Sequence, residues 1–429
     1  MAYNVYVIRP LEHGLHLENA SLNSPFHYAY WPIKNFDIKQ GSIQKRWGYL
    51  IDRTLDRAVY AIVLYQKSDG NRYTLYLTDT DLCFKEVAAG KTWSYKTDTY
   101  TTGTISGITG AVVTGNATAW NATTNVAPGD KFIVDSEHTA DIEPDAQWHT
   151  ISTVDGATQI TLTADYSNPA ATGTYKIRKV YSTPTNERWS CDFVGDTFYF
   201  TNGNTRVQKF VNTIAAPYAV DVDATYTTKA RYCIEYANRL VIADFYSGAD
   251  RQSYSVQWSK EGDPTNWTDS TAGSIQLLET RDYITGLGKI AGDLIVYRAD
   301  SLHIGSRTGT STSPIIFPRQ FKGVGCIAPY SIIEANSSNY FLGRDDFYKI
   351  EGGVPVNIKP TMRYKFFDLV TETEATRTYG FHNSLNSQLF WRATTSSGIF
   401  WFIYDYRLNE WMVHEYADYD MFCGGKGAV

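Results

Sequence analysis

A short phrase returns five times in this chain. A small polar turn leads into an aromatic or aliphatic strand, as in Gly195-Asp196-Thr197-Phe198-Tyr199-Phe200 and Ala237-Asn238-Arg239-Leu240-Val241-Ile242. It recurs at Gly292-Asp293-Leu294-Ile295-Val296-Tyr297, Ser338-Asn339-Tyr340-Phe341-Leu342 and Ser387-Gln388-Leu389-Phe390-Trp391. The starts are roughly 42 to 55 residues apart, about the length of one four-stranded propeller blade. A period of that kind removes most enzyme folds from contention. The 15% aromatic content and 32 tyrosines agree with it, because such side chains fit the half-buried surface of a pleated sheet. The fold class expected is all-β: a β-propeller of about six blades.

One stretch breaks the pattern. Residues 59–65 and 73–78 read as a hairpin around Ser68-Asp69-Gly70-Asn71, with a further strand over 82–87. From residue 100 to about 174 tyrosine becomes sparse and Thr, Gly and Ala dominate. Short strands are expected there at 112–113, 131–134, 148–154 and 159–162, with turns at Gly129-Asp130 and Asp155-Gly156. Residues 100–180 therefore read as a small β-barrel or β-sandwich inserted in a loop. The division that follows is an N-terminal segment and the first part of the propeller at 1–99, the insert at 100–180, and the remaining propeller at 181–429. Without the insert, the period places blades near 58, 196, 238, 292, 338 and 387. A strand near Trp47 is expected to pair with one near Trp411 and close the ring, which would remove two exposed edges. Met362, Phe366, Leu369 and Val370 fall at helical spacing within 361–376, which predicts one short amphipathic helix between two blades.

The chemistry-bearing residues form no recognisable constellation. Phosphate-binding glycine loops, HExxH, GxSxG and EF-hand patterns are all absent from the sequence. His13 and His16 are three apart, but Pro10 and Gly14 argue against a helix that would hold a metal between them. Asp345-Asp346 is the obvious carboxylate pair for glycosidase chemistry, and its position between two short strands reads as a hairpin turn. Gly90-Lys91-Thr92-Trp93 is the nearest approach to a sialidase Asp box, and it lacks the Ser and Asp. Trp258, Trp267, Trp391, Trp401 and Trp411 could stack on sugars, although their place in or beside strands favours core packing. Cys83, Cys191, Cys233, Cys326 and Cys423 are odd in number and far apart, which suggests isolated thiols rather than a zinc site or a disulfide framework. No catalytic, cofactor-binding or metal-ligating residue is singled out, and no cofactor is expected. The formal charge of -6 gives no basic footprint for gripping nucleic acid. The first 17 residues lack a signal-peptide pattern, and no apolar run nears the roughly 20 residues that span a bilayer. The expectation is a non-membrane product made in a cytoplasm.

Several phrases in order resemble the tail hub or tail nozzle proteins of short-tailed bacteriophages. Ser259-Lys260-Glu261-Gly262-Asp263-Pro264-Thr265-Asn266-Trp267 is similar to that family's S-x-x-G-D-P-x-x-W turn. Gly273-Ser274-Ile275, Asp282-Tyr283-Ile284-Thr285-Gly286-Leu287, residues 292–297 and Ser301-Leu302-His303-Ile304 follow it. Then come residues 323–328 and 341–350, Tyr364-Lys365-Phe366-Phe367-Asp368, and Leu389-Phe390-Trp391. The resemblance covers roughly residues 235–415, with Lys45-Arg46-Trp47-Gly48-Tyr49 as a possible extension in which Trp47 stands where a proline is common. The insert, through Thr114-Gly115-Asn116-Ala117-Thr118-Ala119-Trp120, Gly129-Asp130 and residues 151–162, resembles a small β module of phage structural proteins.

The resemblance implies a virion protein without catalysis, located in the phage tail. It implies a ring of identical copies, typically six, attached below the portal and its adaptor. Such a ring retains packaged DNA, conducts it at ejection without sequence-specific binding, and can carry tail fibres or spikes. Two alternatives come from other classes. One is a carbohydrate-binding or carbohydrate-cleaving propeller, and the other is a receptor-binding tail protein. Oligomeric state and action on host polysaccharide separate them.

Overall fold

The structure is a computed structural model. It describes residues 59–87, 94–138, 148–184, 187–213, 218–223, 229–310, 313–358 and 362–416, and the backbone of short strands at 15–16, 29–30, 36–39, 42–45 and 425–426. The protein is all-β, a six-bladed β-propeller with a small inserted β domain.

Blades 2 to 6 are meanders of four strands paired in chain order, and blade 1 has the same meander within a five-stranded sheet. Blade 1 consists of Val59–Gln66, Arg72–Thr78, Leu82–Glu86 and Ser94–Tyr95. Blade 2 consists of Ser190–Val194, Thr197–Thr201, Gln208–Phe210 and Val220–Asp221. Blade 3 follows with Ala230–Tyr236, Arg239–Ser247, Asp250–Trp258 and Gly273–Gln276. Blade 4 has Ile284–Ile290, Asp293–Arg298, Ser301–Arg307 and Ile315–Lys322. Blade 5 has Ile333–Ala335, Ser338–Leu342, Phe347–Glu351 and Val354–Asn357, and blade 6 has Tyr379–Asn383, Gln388–Thr395, Gly398–Asp405 and Glu410–Tyr416.

The repeated phrase marks the second strand of a blade, not its beginning. Blades 2 to 6 start at residues 190, 230, 284, 333 and 379, so the expected starts were late by one strand. Backbone geometry explains why the phrase stands out. The first two strands of blades 3, 4 and 5 are joined by two-residue turns in which both residues have positive φ: Ala237 and Asn238, Ala291 and Gly292, Asn336 and Ser337. In blade 2 Gly195 does so at φ +56. Paired left-handed residues give the twist that lets antiparallel strands continue on both sides of a tight turn. Small polar residues tolerate that conformation best.

The chain divides into two compact units, residues 1–54 with 236–426 and residues 55–235 with 427–429. The division falls at the end of the strand Ala230–Tyr236. In the second unit, the aromatic core of blades 1 and 2 gathers Tyr65, Trp189, Phe198, Phe200 and Phe210. Its insert is a seven-stranded sheet between Thr99–Tyr100 and Tyr175–Arg178, with a core of its own around Trp120, Phe132, Ile160 and Tyr175. The sheet curls: Ile105, on its edge strand, exchanges backbone hydrogen bonds with Gly173 at 2.7 and 2.9 Å.

In the first unit, blades 5 and 6 share the largest cluster. The Phe347 ring lies 4.9 Å from both Trp391 and Trp411. The expected helix is two, Arg363–Leu369 and Glu372–Ala375. Val370 is extended, and Thr371 caps the second helix through a reciprocal box with Glu374. Met362, Phe366 and Val370 are buried as the spacing required, with Phe366 4.8 Å from Phe402. Trp411 lies in a strand that belongs to blade 6 alone, and the backbone of Phe36–Lys39 runs beside that strand. Trp47 and residues 46–49, 90–93, His13 and Cys423 lie outside the described residues.

Candidate functional site

The loop between the last two strands of blade 3 contains the most specific phrase, residues 259–267. It is held by side chains that turn back on their own backbone. The Asp263 carboxylate accepts from the Thr265 backbone N–H at 3.2 Å and hydroxyl at 2.7 Å, and Asn266 Oδ1 accepts from the N–H groups of Thr268 and Asp269. Asp269 accepts from both the N–H and hydroxyl of Thr271, at 2.9 and 2.8 Å. Those hydrogen bonds, backbone first, hold the Asp269 carboxyl below the usual range. Beneath the loop, the buried Arg239 donates to the carbonyls of Ser259 and Thr271, both at 2.9 Å, and to Glu261 at 3.1 Å. Trp267 is buried under it. The phrase encodes a rigid, self-capped loop.

A second buried arginine organises the passage from blade 3 to blade 4. Arg298 is fully buried and donates to the carbonyls of Leu277 at 2.9 Å, Thr280 at 3.1 Å and Asp282. The Asp282 carboxylate is 3.2 Å from the same guanidinium and accepts from the Asp300 N–H and the Ser301 hydroxyl, both at 2.9 Å. His303 packs beside Arg298 at 3.3 Å, and burial, followed by the arginine's charge, pushes its pKa down. A buried guanidinium with this many carbonyl partners is a brace, and removing it would strand several acceptors.

In the second unit a third arginine anchors the insert. Arg178, at the end of the insert's last strand, pairs with buried Asp81 of blade 1. Its guanidinium lies 3.9 Å from the Tyr95 ring and 5.2 Å from Trp148. Lys179 N–H donates to Asp98 O at 2.8 Å, and Asp130 accepts from the N–H groups of Ala127 and Val180. Burial pushes the Asp130 carboxyl up to about 6 against those hydrogen bonds.

Neighbouring blades are stitched at equivalent positions. The Tyr65 hydroxyl of blade 1 donates at 2.5 Å to Asp196 O, in the first turn of blade 2. Tyr236 donates at 2.8 Å to Gly292 O, in the first turn of blade 4. The repeated turn is thus also the acceptor for the preceding blade.

The residues weighed for catalysis or binding are not brought together. Asp346 is buried and spends its oxygens on the Phe347 N–H at 2.8 Å and the Asn357 amide at 2.7 Å, while Asp345 accepts from the Tyr348 hydroxyl. The pair closes a hairpin, as its sequence position suggested. Trp258, Trp267, Trp391, Trp401 and Trp411 are all buried, so none offers a face to a sugar. Cys83, Cys233 and Cys326 are buried, Cys191 is half-buried, and these four form no disulfide. Among the described residues no group of three or more His, Cys, Asp or Glu could hold a metal ion, and no helix is long and apolar enough to cross a membrane. Arg178, Arg239 and Arg298 were not singled out in the sequence. The available signal is an arginine set inside an otherwise apolar strand phrase, as in Tyr297-Arg298 and Asn238-Arg239-Leu240.

No protein-family model and no curated protein matches the chain. Solved structures similar to it include Sqt1 of Saccharomyces cerevisiae, at 9% identity and TM-score 0.36 over 83% of this chain and 85% of that one. Apo AztD of Citrobacter koseri is 10% identical, with TM-score 0.34 over 84% and 82%. BamB of Moraxella catarrhalis is 14% identical, with TM-score 0.27 over 72% and 88%. Similarities of this size carry no activity, ligand or partner to this chain.

Proposed function

We propose that the protein is a structural subunit of a phage tail, a nozzle or hub whose identical copies form a ring that retains packaged DNA and conducts it at ejection. The observation that carries this reading is where the family-like phrases fall. From residue 259 to residue 391 they occupy successive structural positions in blades 3 to 6: the self-capped loop, the Arg298 brace, the second and third strands, the Asp345-Asp346 hairpin and the helix pair. What these phrases specify is a stiff wall, and the role that fits a stiff wall is mechanical. The mild net charge of -6 suits a conduit, because each added phosphate contact would slow DNA in transit. The partners proposed are further copies of the chain, a portal adaptor, and tail fibres or spikes. Negative-stain microscopy with mass measurement on the purified full chain tests the reading. Closed rings of about six copies are expected, and a strict monomer that binds or cleaves polysaccharide overturns it.

A further inference from the structure

The Arg298 brace has a titratable neighbour. His303 lies in the third strand of blade 4, Ser301–Arg307, where the register pairs it with Val296 on one side and Gln320 on the other. Its side chain is buried. The imidazole Nε2 stands 3.3 Å from Arg298 Nη1 and 3.4 Å from Gln320 Nε2. A guanidinium offers donors and no acceptor. Nε2 must therefore accept, and the imidazole is neutral with its proton on Nδ1.

The surroundings of the ring favour that state. The Phe317 ring meets the imidazole edge-on at 6.4 Å. Lys322, on the same fourth strand as Phe317 and Gln320, adds positive charge, while Glu279 and Asp282 of the connection between blades 3 and 4 add negative charge. Asp282 is already committed: the Arg298 guanidinium is 3.2 Å away, and the Asp300 N–H and Ser301 hydroxyl donate to it. A proton on Nε2 removes the lone pair that Arg298 uses and sets an N–H against the guanidinium at 3.3 Å. Two cations then face each other away from water, which is costly. Burial, followed by the charge of Arg298, pushes the His303 pKa down, in agreement with that geometry.

We propose that His303 is an acid-sensitive clasp on the connection between blades 3 and 4: a proton at Nε2 displaces the Arg298 side chain and frees the residues that it holds. Arg298 reaches the carbonyls of Leu277, Thr280 and Asp282, so one displaced side chain releases the connection at three points. Three amides report on that release. Leu277 N–H donates to Tyr254 O at 2.9 Å, Ala299 N–H to Tyr283 O at 3.1 Å, and Asp300 N–H to the Asp282 carboxylate at 2.9 Å. The released histidine takes its proton near the ordinary value of about 6.5, and the clasped one only at a lower pH. Between the two values the released state binds more protons, so the clasp weakens as pH falls below about 6.5, and the loss is complete below the lowered value.

The test is amide hydrogen exchange of the full chain at pH 7 and pH 5, resolved to single amides and divided by the unfolded-chain rate at each pH. In wild type, protection at Leu277, Ala299 and Asp300 should fall at least about tenfold on acidification, the equivalent of one pKa unit. The strand Glu410–Tyr416 of blade 6 should keep its protection. His303→Gln leaves a side chain that cannot titrate, and its loss at the three amides should stay under about twofold. Gln320→Glu sets a carboxylate beside Nε2 that accommodates the proton, and should shrink the loss in the same way if His303→Gln fails to fold. Unchanged protection in wild type overturns the clasp, and so does a loss as large as that of wild type in either folded variant.

Discussion

Blade 3 and blade 6 are built from the same repeat and end in opposite ways. The last strand of blade 6 has Trp411, Met412 and Val413 at 0 to 1% exposure. The last strand of blade 3 has Ser274 and Gln276 exposed, with apolar side chains in solvent beside it. One blade has buried its outer strand within the chain, and in the other the outer strand ends its sheet among the described residues. A shared period therefore fixes how strands are joined, while composition at the fourth strand decides whether a blade's outer strand is finished by burial or left exposed.

The largest effect expected comes from the finished blade. Trp411→Ala removes a ring that packs 4.9 Å from Phe347 and 5.6 Å from Trp391, and should cost about 3–5 kcal/mol in chemical denaturation. Ile275→Ala in the open strand should cost less than about 1 kcal/mol. Equal losses at the two sites would break the contrast.

Acid should act on the two blades with opposite sign. Burial holds the Asp405 carboxyl of blade 6 above the usual range, against hydrogen bonds from the Leu408 and Arg407 N–H groups. Its folded value exceeds its unfolded one, so folding takes up a proton and its contribution to stability rises as pH falls through the folded value. Asp269 of blade 3 is held low by Thr271, so its stabilisation is present above the ordinary carboxylate range and is lost as pH falls through the lowered value. Thermal melts from pH 7 down to about pH 2.5, below the ordinary aspartate value of about 3.9, check this. Asp405→Asn should remove an acid gain and Asp269→Asn an acid loss, and shifts of the same sign in both variants would contradict the assignment.

The smallest effect belongs to the turns. Ala237 of blade 3 and Ser387 of blade 6 hold φ near +57, a conformation that costs an L residue about 1–2 kcal/mol. Glycine at either position relieves that cost and returns part of it as unfolded-chain entropy. A gain of about 0.5 kcal/mol is expected at each, and a loss at only one would show that its side chain makes a contact the other lacks.

The sequence made the second strands legible because each pairs a left-handed turn with a run of aromatic or aliphatic residues. The first strands were not, since Ser190–Val194 and Ile333–Ala335 carry no turn of their own and alternate weakly. Within the insert, Lys131–Val134 and Gln159–Leu162 coincide with the expected strands, whereas Thr104–Thr109 was hidden by its Thr, Ser and Gly content. Helical spacing placed the buried side chains of 362–370 correctly and missed the break at Thr371, whose cap is a matter of side-chain geometry. The buried arginines were illegible for a related reason: their partners are mostly backbone carbonyls, which have no letter in a sequence.

The outer strands of blades 3 and 6 are where the contrast is most directly measured. Amide hydrogen exchange read by mass spectrometry on the full chain reports on both at once. The peptide covering 273–278 should exchange rapidly, while 410–416 stays protected. Equal protection of the two peptides would contradict the account.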